Sequence, residues 1–297
     1  DTENGKTGYF QFNTFIRTAQ DGLIDAFDLF VDENVTELVI DLRYNGGGLL
    51  ALASQVSYMV AGPSQTNNAI FETTRFNDKS GTTNPVTGGT VQATPFYSNE
   101  IDYNAGVLTS TLLPSLSLTR VYVITTGSTC SASEAVMNAL RGVVVEVVQI
   151  GSTTCGKPYG FYPTDNCGET YFTIQFQGVN NKGFGDYADG FMPVASPSFD
   201  FELPGCDVED DFTASLGDPE EAMLAAALEY SATGSCPVVA STEELTRANA
   251  LGNQESAAST ASNQTGEALL SIDNPNTRRN TFILHNKVNE PVIEERE

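Results

Sequence analysis

Between residues 8 and 15 the chain reads GYFQFNTF, with apolar and polar positions alternating at the period of a half-buried strand. The period then changes. Leu23, Ile24, Phe27 and Phe30 recur at helical spacing, which predicts a helix reaching Phe30. ELVIDLR at 37–43 is an apolar strand, and it runs straight into Tyr44-Asn45-Gly46-Gly47-Gly48. LLALASQVSYMVAG predicts a second helix that stops near Gly62. Strand, helix, strand, glycine turn, helix is the order of an α/β core. Residues 63–118, rich in Thr, Asn, Gly and Ser with short apolar bursts, read as hairpins and loops inserted into that core.

The pattern resumes with RVYVITT at 120–126, the opening GSTCSASE at 127–134 and a helical AVMNALRG. VVVEVVQIG at 143–151 predicts a strand that leads into STTCGKPYG, and ETYFTIQFQGV at 169–179 predicts another. GDPEEAMLAAALEYSATG reads as a helix with Asp218 as N-cap, Pro219 at the first helical position and Gly234 as the stop. The folded unit is expected to close there, at residues 1–235. From 236 to 297 the sequence turns to Ser, Thr, Asn, Glu and Gln with few aromatics, the composition of a weakly ordered tail. No internal repeat is present.

Charge narrows the partners. Lys and Arg number 14 against 38 Asp and Glu, a formal charge of -24, so the field of the protein repels nucleic acid and anionic membrane surfaces. No apolar run approaches the roughly 18 residues of a membrane span. The N-terminal DTENGK has neither an initiating Met nor a leader, so the chain reads as a mature or truncated piece. Cys130, Cys155, Cys167, Cys206 and Cys236 show no CxxC spacing, and with one histidine in the chain no zinc site is expected. An odd cysteine count leaves at least one thiol unpaired within the chain. For the others, disulfides and small buried thiols are both open.

GSTCSASE poses the chemical question, because Ser131-x-x-Glu134 is both a capping box and a setting for a nucleophile. A nucleophilic serine needs a base. His285 lies in the tail, far in sequence from every glycine-rich turn, and neither GxSxG nor SxxK occurs around Ser131. Lysine is then the candidate base, since burial lowers its pKa toward the working range. Of Lys6, Lys79, Lys157, Lys182 and Lys287, only Lys157 follows an apolar strand into a turn where a side chain can be desolvated. Three turns, RYNGGG, GSTCSASE and TTCGKP, each follow a strand; in an open α/β sheet such turns gather at the carboxyl ends of the strands.

DLRYNGGGLL, GSTCSASE and CGKP, in that order, resemble the signature segments of the S41 serine peptidases, the tail-specific or C-terminal processing peptidases, over roughly residues 8–232. The resemblance implies a ClpP/crotonase-like α/β fold, a spiral ββα core with inserted β-hairpins. It implies endopeptidase cleavage of polypeptides by a Ser-Lys dyad, with Ser131 as nucleophile, Lys157, 26 residues on, as general base, and no metal or organic cofactor. It places the oxyanion hole at the backbone amides of Gly47 and Ala132 and associates Glu134 with orienting the dyad. Capping alone would also account for Glu134. The stretch from Lys157 to Gly190 resembles a bacterial secreted branch, hence an expected periplasmic or extracellular location.

The chain departs from the family where members commonly read GSASASE and FGKG. Here Cys130 abuts the nucleophile and Cys155 lies two residues before the base, and opposed cysteines on two such turns invite a disulfide tying Ser131 to Lys157. The PDZ domain with which many members hold substrate C-termini is not recognisable: it lies upstream of Asp1 or this branch lacks it. Two other readings stay open: a silent peptide-binding scaffold and an acyl-CoA enzyme of the same fold. Against the second, no basic cluster is available for a CoA phosphate. As a phosphate cradle Tyr44–Gly48 is weak, lacking GxGxxG and GxxxxGK[ST]. Tyr159, Phe161 and Tyr162 read as core or cleft wall, and a bound peptide is expected to extend along a strand edge. Oligomeric state is not readable.

Overall fold

The protein is described here from a computed structural model covering residues 5–237. In chain order its elements are β1 (Thr7–Gln11), α1 (Gln20–Asp32), β2 (Glu37–Asp41), α2 (Leu50–Ala61), α3 (Pro63–Thr66), β3 (Ile70–Arg75), β4 (Ala93–Pro95), β5 (Asn99–Asp102) and β6 (Val107–Leu112). There follow β7 (Arg120–Thr125), α4 (Ala132–Gly142), β8 (Glu146–Gly151), β9 (Tyr159–Gly160), β10 (Thr164–Asn166), β11 (Glu169–Tyr171), β12 (Phe176–Val179), β13 (Met192–Val194), β14 (Glu202–Cys206) and α5 (Ala222–Thr233).

A six-stranded sheet in the order β1-β2-β7-β8-β14-β13 forms the frame, and every neighbouring pair is parallel. Parallel strands need both faces covered, and side-chain alternation supplies two cores. Leu38, Ile40, Val121, Val123 and Val147 pack on one face with α1, α2 and α4. Val39, Tyr122, Ile124, Val148 and Ile150 pack on the other against Met223, Leu224, Ala226 and Ala227 of α5. Each fully buried aliphatic side chain contributes roughly 1.5–3 kcal/mol. Helix α2 is buried all round from Ala51 to Ala61. It carries polar residues there because each finds a partner: Ser54 Oγ donates to Pro95 O at 2.8 Å, and Gln55 Nε2 to Asn99 O at 2.9 Å.

Three features differ from the periodicity. The segment 63–118 does hold the antiparallel pairs β3–β4 and β5–β6, but β3 also pairs with β12, giving a second sheet in the order β4-β3-β12-β9. The run 169–179 is not one strand but two, β11 in a small hairpin with β10 and β12 in the second sheet. Helix α5 starts at Ala222 rather than Pro219. Its N-cap is Glu221, which accepts from Met223 N and Leu224 N, while Asp218 accepts from Glu220 N in the preceding turn. Glu221 is fixed there because it also faces the buried Arg43, 2.8 Å from Nη1. Gly234 stops α5 with φ 72°, and the tail assigned to 236–297 lies almost wholly outside the described residues.

Arg43, two residues past the end of β2, sits in a buried ion cluster. It meets Asp41 at 2.7 Å, Glu221 at 2.8 Å and Asp210 at 3.0 Å, and Asp41 also accepts from Tyr9 OH at 2.7 Å. Tyr44, the next residue, donates to Asp210. Removing one member of such a cluster leaves an uncompensated buried charge, so the conformation in which the chain leaves β2 for the glycine turn is firmly set.

Candidate active site

β2, β7 and β8 are neighbours, so the turns that leave their carboxyl ends meet. The contacts are specific. Thr129 Oγ1 donates to Leu42 O at 2.8 Å, Cys130 N to Asn45 O at 3.0 Å, Ser133 Oγ to Asn45 O at 2.9 Å, and Cys155 N to Thr129 O at 3.1 Å. Three segments remote in sequence thereby become one body.

Ser131 is the N-cap of α4 and has φ 57°, ψ -112°. A non-glycine residue there costs roughly 1–3 kcal/mol and persists only where its surroundings enforce it. The hydroxyl stands at the positive end of an 11-residue helix. Gly47 packs against this turn with φ 99°, and a Cβ on it would lie 2.7 Å from Ser131 Cβ and 2.8 Å from Ala132 N. Among the described residues Ala132 N has no acceptor. The Gly47 N–H donates to Asn45 Oδ1 at 2.9 Å, whereas among the described residues the Gly48 N–H has no acceptor, and Gly48 lines the cavity beside Ser131.

Glu134 is fully buried and binds two of the turns together. Oε2 accepts from Ser131 N at 3.0 Å and Lys157 N at 2.8 Å; Oε1 accepts from Gly156 N at 2.8 Å and Thr154 Oγ1 at 2.6 Å. Burial pushes its pKa up, against the opposing pull of these four donors. It is a cap, and it is also the strap that holds the lysine turn against the serine turn. Cys130 and Cys155 add a covalent link alongside, paired with Cα atoms 5.3 Å apart. Their sulfurs and the Glu134 carboxylate converge. All three are committed, to the disulfide and to the four donors.

Lys157 is half-buried and lines the same cavity as Ser131. Desolvation lowers its pKa, opposed by the charge of Glu134. Its Nζ rests over the Phe161 ring, 5.1 Å from the centroid, and no hydrogen bond joins it to Ser131 Oγ. Tyr159 and Phe161 form cavity wall with Leu50, Ala135 and Phe176. Tyr162 is engaged elsewhere, its hydroxyl accepting from Asn84 at 3.0 Å. Two groups in this cavity went unseen in the sequence: Glu72 of β3 and Tyr187. The only local signal for Glu72 is a single acid within the apolar burst AIFETT.

Residues 6–164 match the family model for peptidase family S41. The chain belongs to this family, and its parallel α/β core is the fold of S41 proteases. Among solved structures, a Bacteroides fragilis NCTC 9343 protein assigned to the S41 proteases aligns with TM-score 0.64 and 26% identity, over 79% of this chain and 56% of that one. A photosystem II D1 C-terminal processing protease aligns with TM-score 0.43 and 21% identity, over 66% of this chain and 42% of that one. The chain thus spans about half the length of these relatives. No curated protein matches it. Among the described residues no helix is long and apolar enough to cross a membrane.

Proposed function

We propose that the chain is a serine endopeptidase of the C-terminal processing type, with residues up to 235 as the catalytic unit, acting in the periplasm or outside the cell. The observation that carries this is the meeting of a strained helix-start serine and a desolvated lysine on one cavity, with a buried glutamate bonded to both their amides. Ser131 Oγ attacks the scissile carbonyl. Neutral Lys157 takes its proton and returns it to the leaving amine. The oxyanion lies between Ala132 N–H and the glycine turn, where Gly47 first has to release Asn45 and Gly48 has nothing to release. Water then hydrolyses the acyl-enzyme. The peptide extends along β9, the edge strand of the second sheet, whose residues line the cavity.

Lysine as base fixes the sign of the pH dependence. A folded pKa below 10.5 means that the neutral form grows as pH rises through the lowered value, so kcat/KM climbs on that limb. One observation favours a second reading, a scaffold that binds peptides without cutting them: Lys157 Nζ faces Phe161, with no hydrogen bond to Ser131. Mass spectrometry after a fluorophosphonate probe separates the two. Labelling of Ser131 that disappears in Ser131→Ala and falls at least tenfold in Lys157→Ala, together with peptide cleavage, supports the peptidase. No label and no cleavage between pH 6 and 10 leaves the scaffold.

A further inference from the structure

Beside Ser131 the cavity is walled by Leu50, Ala135 and Phe176, and two polar side chains break that lining, the Glu72 carboxyl and the Tyr187 hydroxyl. Glu72 is 7% exposed and Tyr187 2%. Among the described residues neither makes a side-chain hydrogen bond or ion pair, and their polar atoms stay open to the cavity. Lys157 shares the cavity, but it forms no ion pair with Glu72 among the described residues. The room for the carboxyl comes from Gly178 on the facing strand β12, where any Cβ would collide with Glu72 Oε2.

We propose that Glu72, assisted by the Tyr187 hydroxyl, selects substrates with lysine or arginine on the residue whose carbonyl Ser131 attacks. This rests on the peptidase reading above. The apolar walls take the methylene stem of such a side chain and the two polar groups meet its charged end. An apolar side chain would leave a buried carboxyl and phenol unpaired, a loss of the kind that separates substrates strongly. An acidic one gains no cation from Glu72 or Tyr187 and has to enter against the field of a protein at -24.

The protons balance in one way. Burial raises the Glu72 pKa to about 8, so the empty site holds a carboxylic acid at neutral pH. A cation converts it to the carboxylate, and the proton passes to solvent. Among the described residues the other titratable groups around this site are Lys157, Tyr159 and Tyr187 on the cavity and Glu134 behind it on α4.

The test uses acetylated peptide amides that differ at that one position, carrying Lys, Arg, norleucine or Glu. Binding to Ser131→Ala is measured calorimetrically at pH 7 in two buffers of different ionisation enthalpy, and kcat/KM is measured for wild type, Glu72→Gln and Glu72→Leu. The expected result is a preference of about tenfold or more for Lys and Arg over norleucine, with up to one proton released per cation bound. Glu72→Gln should flatten this preference and Glu72→Leu should invert it. Equal or better binding of norleucine, binding of none of the peptides, or a Lys preference unchanged in Glu72→Leu overturns the inference. Selective binding to Ser131→Ala without turnover by the wild type would remove the peptidase reading and keep the selectivity. Turnover without preference would do the reverse.

Discussion

Glu134 and Glu72 are buried acids of one candidate site, and their surroundings are opposite. Glu134 accepts from three backbone amides and a threonine hydroxyl; among the described residues nothing donates to the Glu72 carboxyl. Burial raises the pKa of both. A saturated carboxylate fixes geometry, because moving it abandons four hydrogen bonds together. A carboxyl with no protein partner that opens onto a cavity wall is free to meet a ligand. The fate of the donors and acceptors thus separates a positioning residue from a recognition residue more surely than burial does.

The comparison breaks most easily at Glu134. Glu134→Ala orphans four donors, and the expected cost is about 3–5 kcal/mol in denaturant melts, with kcat/KM down by about a thousandfold. Were activity lost with the melt unchanged, Glu134 would be a reacting group rather than a strap. Gly47→Ala comes next. A Cβ 2.7 Å from Cys130 O and from Ser131 Cβ, on a backbone at φ 99°, should cost about 2–3 kcal/mol. A decrease in kcat/KM of at least a hundredfold should accompany it.

Glu72→Leu should act in the other direction on stability. The folded protein holds this proton up to about pH 8 while the unfolded chain loses it near 4.5, so wild-type stability falls as pH rises through that window. Leu removes the slope. Melts should therefore show little difference at pH 5 and a gain on the order of a few kcal/mol at pH 8.5. A variant curve parallel to wild type would mean that Glu72 is not held as an acid. Gly178→Ala is the mildest probe. It displaces the end of a flexible side chain, so stability should change by less than about 1 kcal/mol while the preference for basic side chains drops a few-fold.

Much of the frame was legible because it is local. The helical spacing of Leu23, Phe27 and Phe30, the apolar runs of β2, β7 and β8, and Gly62 and Gly234 at helix ends are each written within a dozen residues. The serine, lysine and glycine turns were legible because each follows such a run. What stayed hidden depends on partners far along the chain. β3 joins β12 about 100 residues later, and nothing in either segment announces it. Arg43 draws Glu221 from 178 residues away, which moves the start of α5 past the Asp218-Pro219 signal. Glu72 is the same case: its strand sequence gives no sign that its second face forms the wall of a cavity.

Cys206 and Cys236 form the second disulfide, with Cα atoms 5.5 Å apart across 30 residues of sequence. Cys206 ends β14, a strand inside the parallel sheet, and Cys236 lies just past α5. A tug on the chain beyond Cys236 is therefore delivered to the sheet by a covalent bond and does not peel α5 from its face. An unfoldase that pulls on the chain beyond Cys236 would meet a hard stop at that bond, and reduction would turn the stop into a helix that unzips from Gly234.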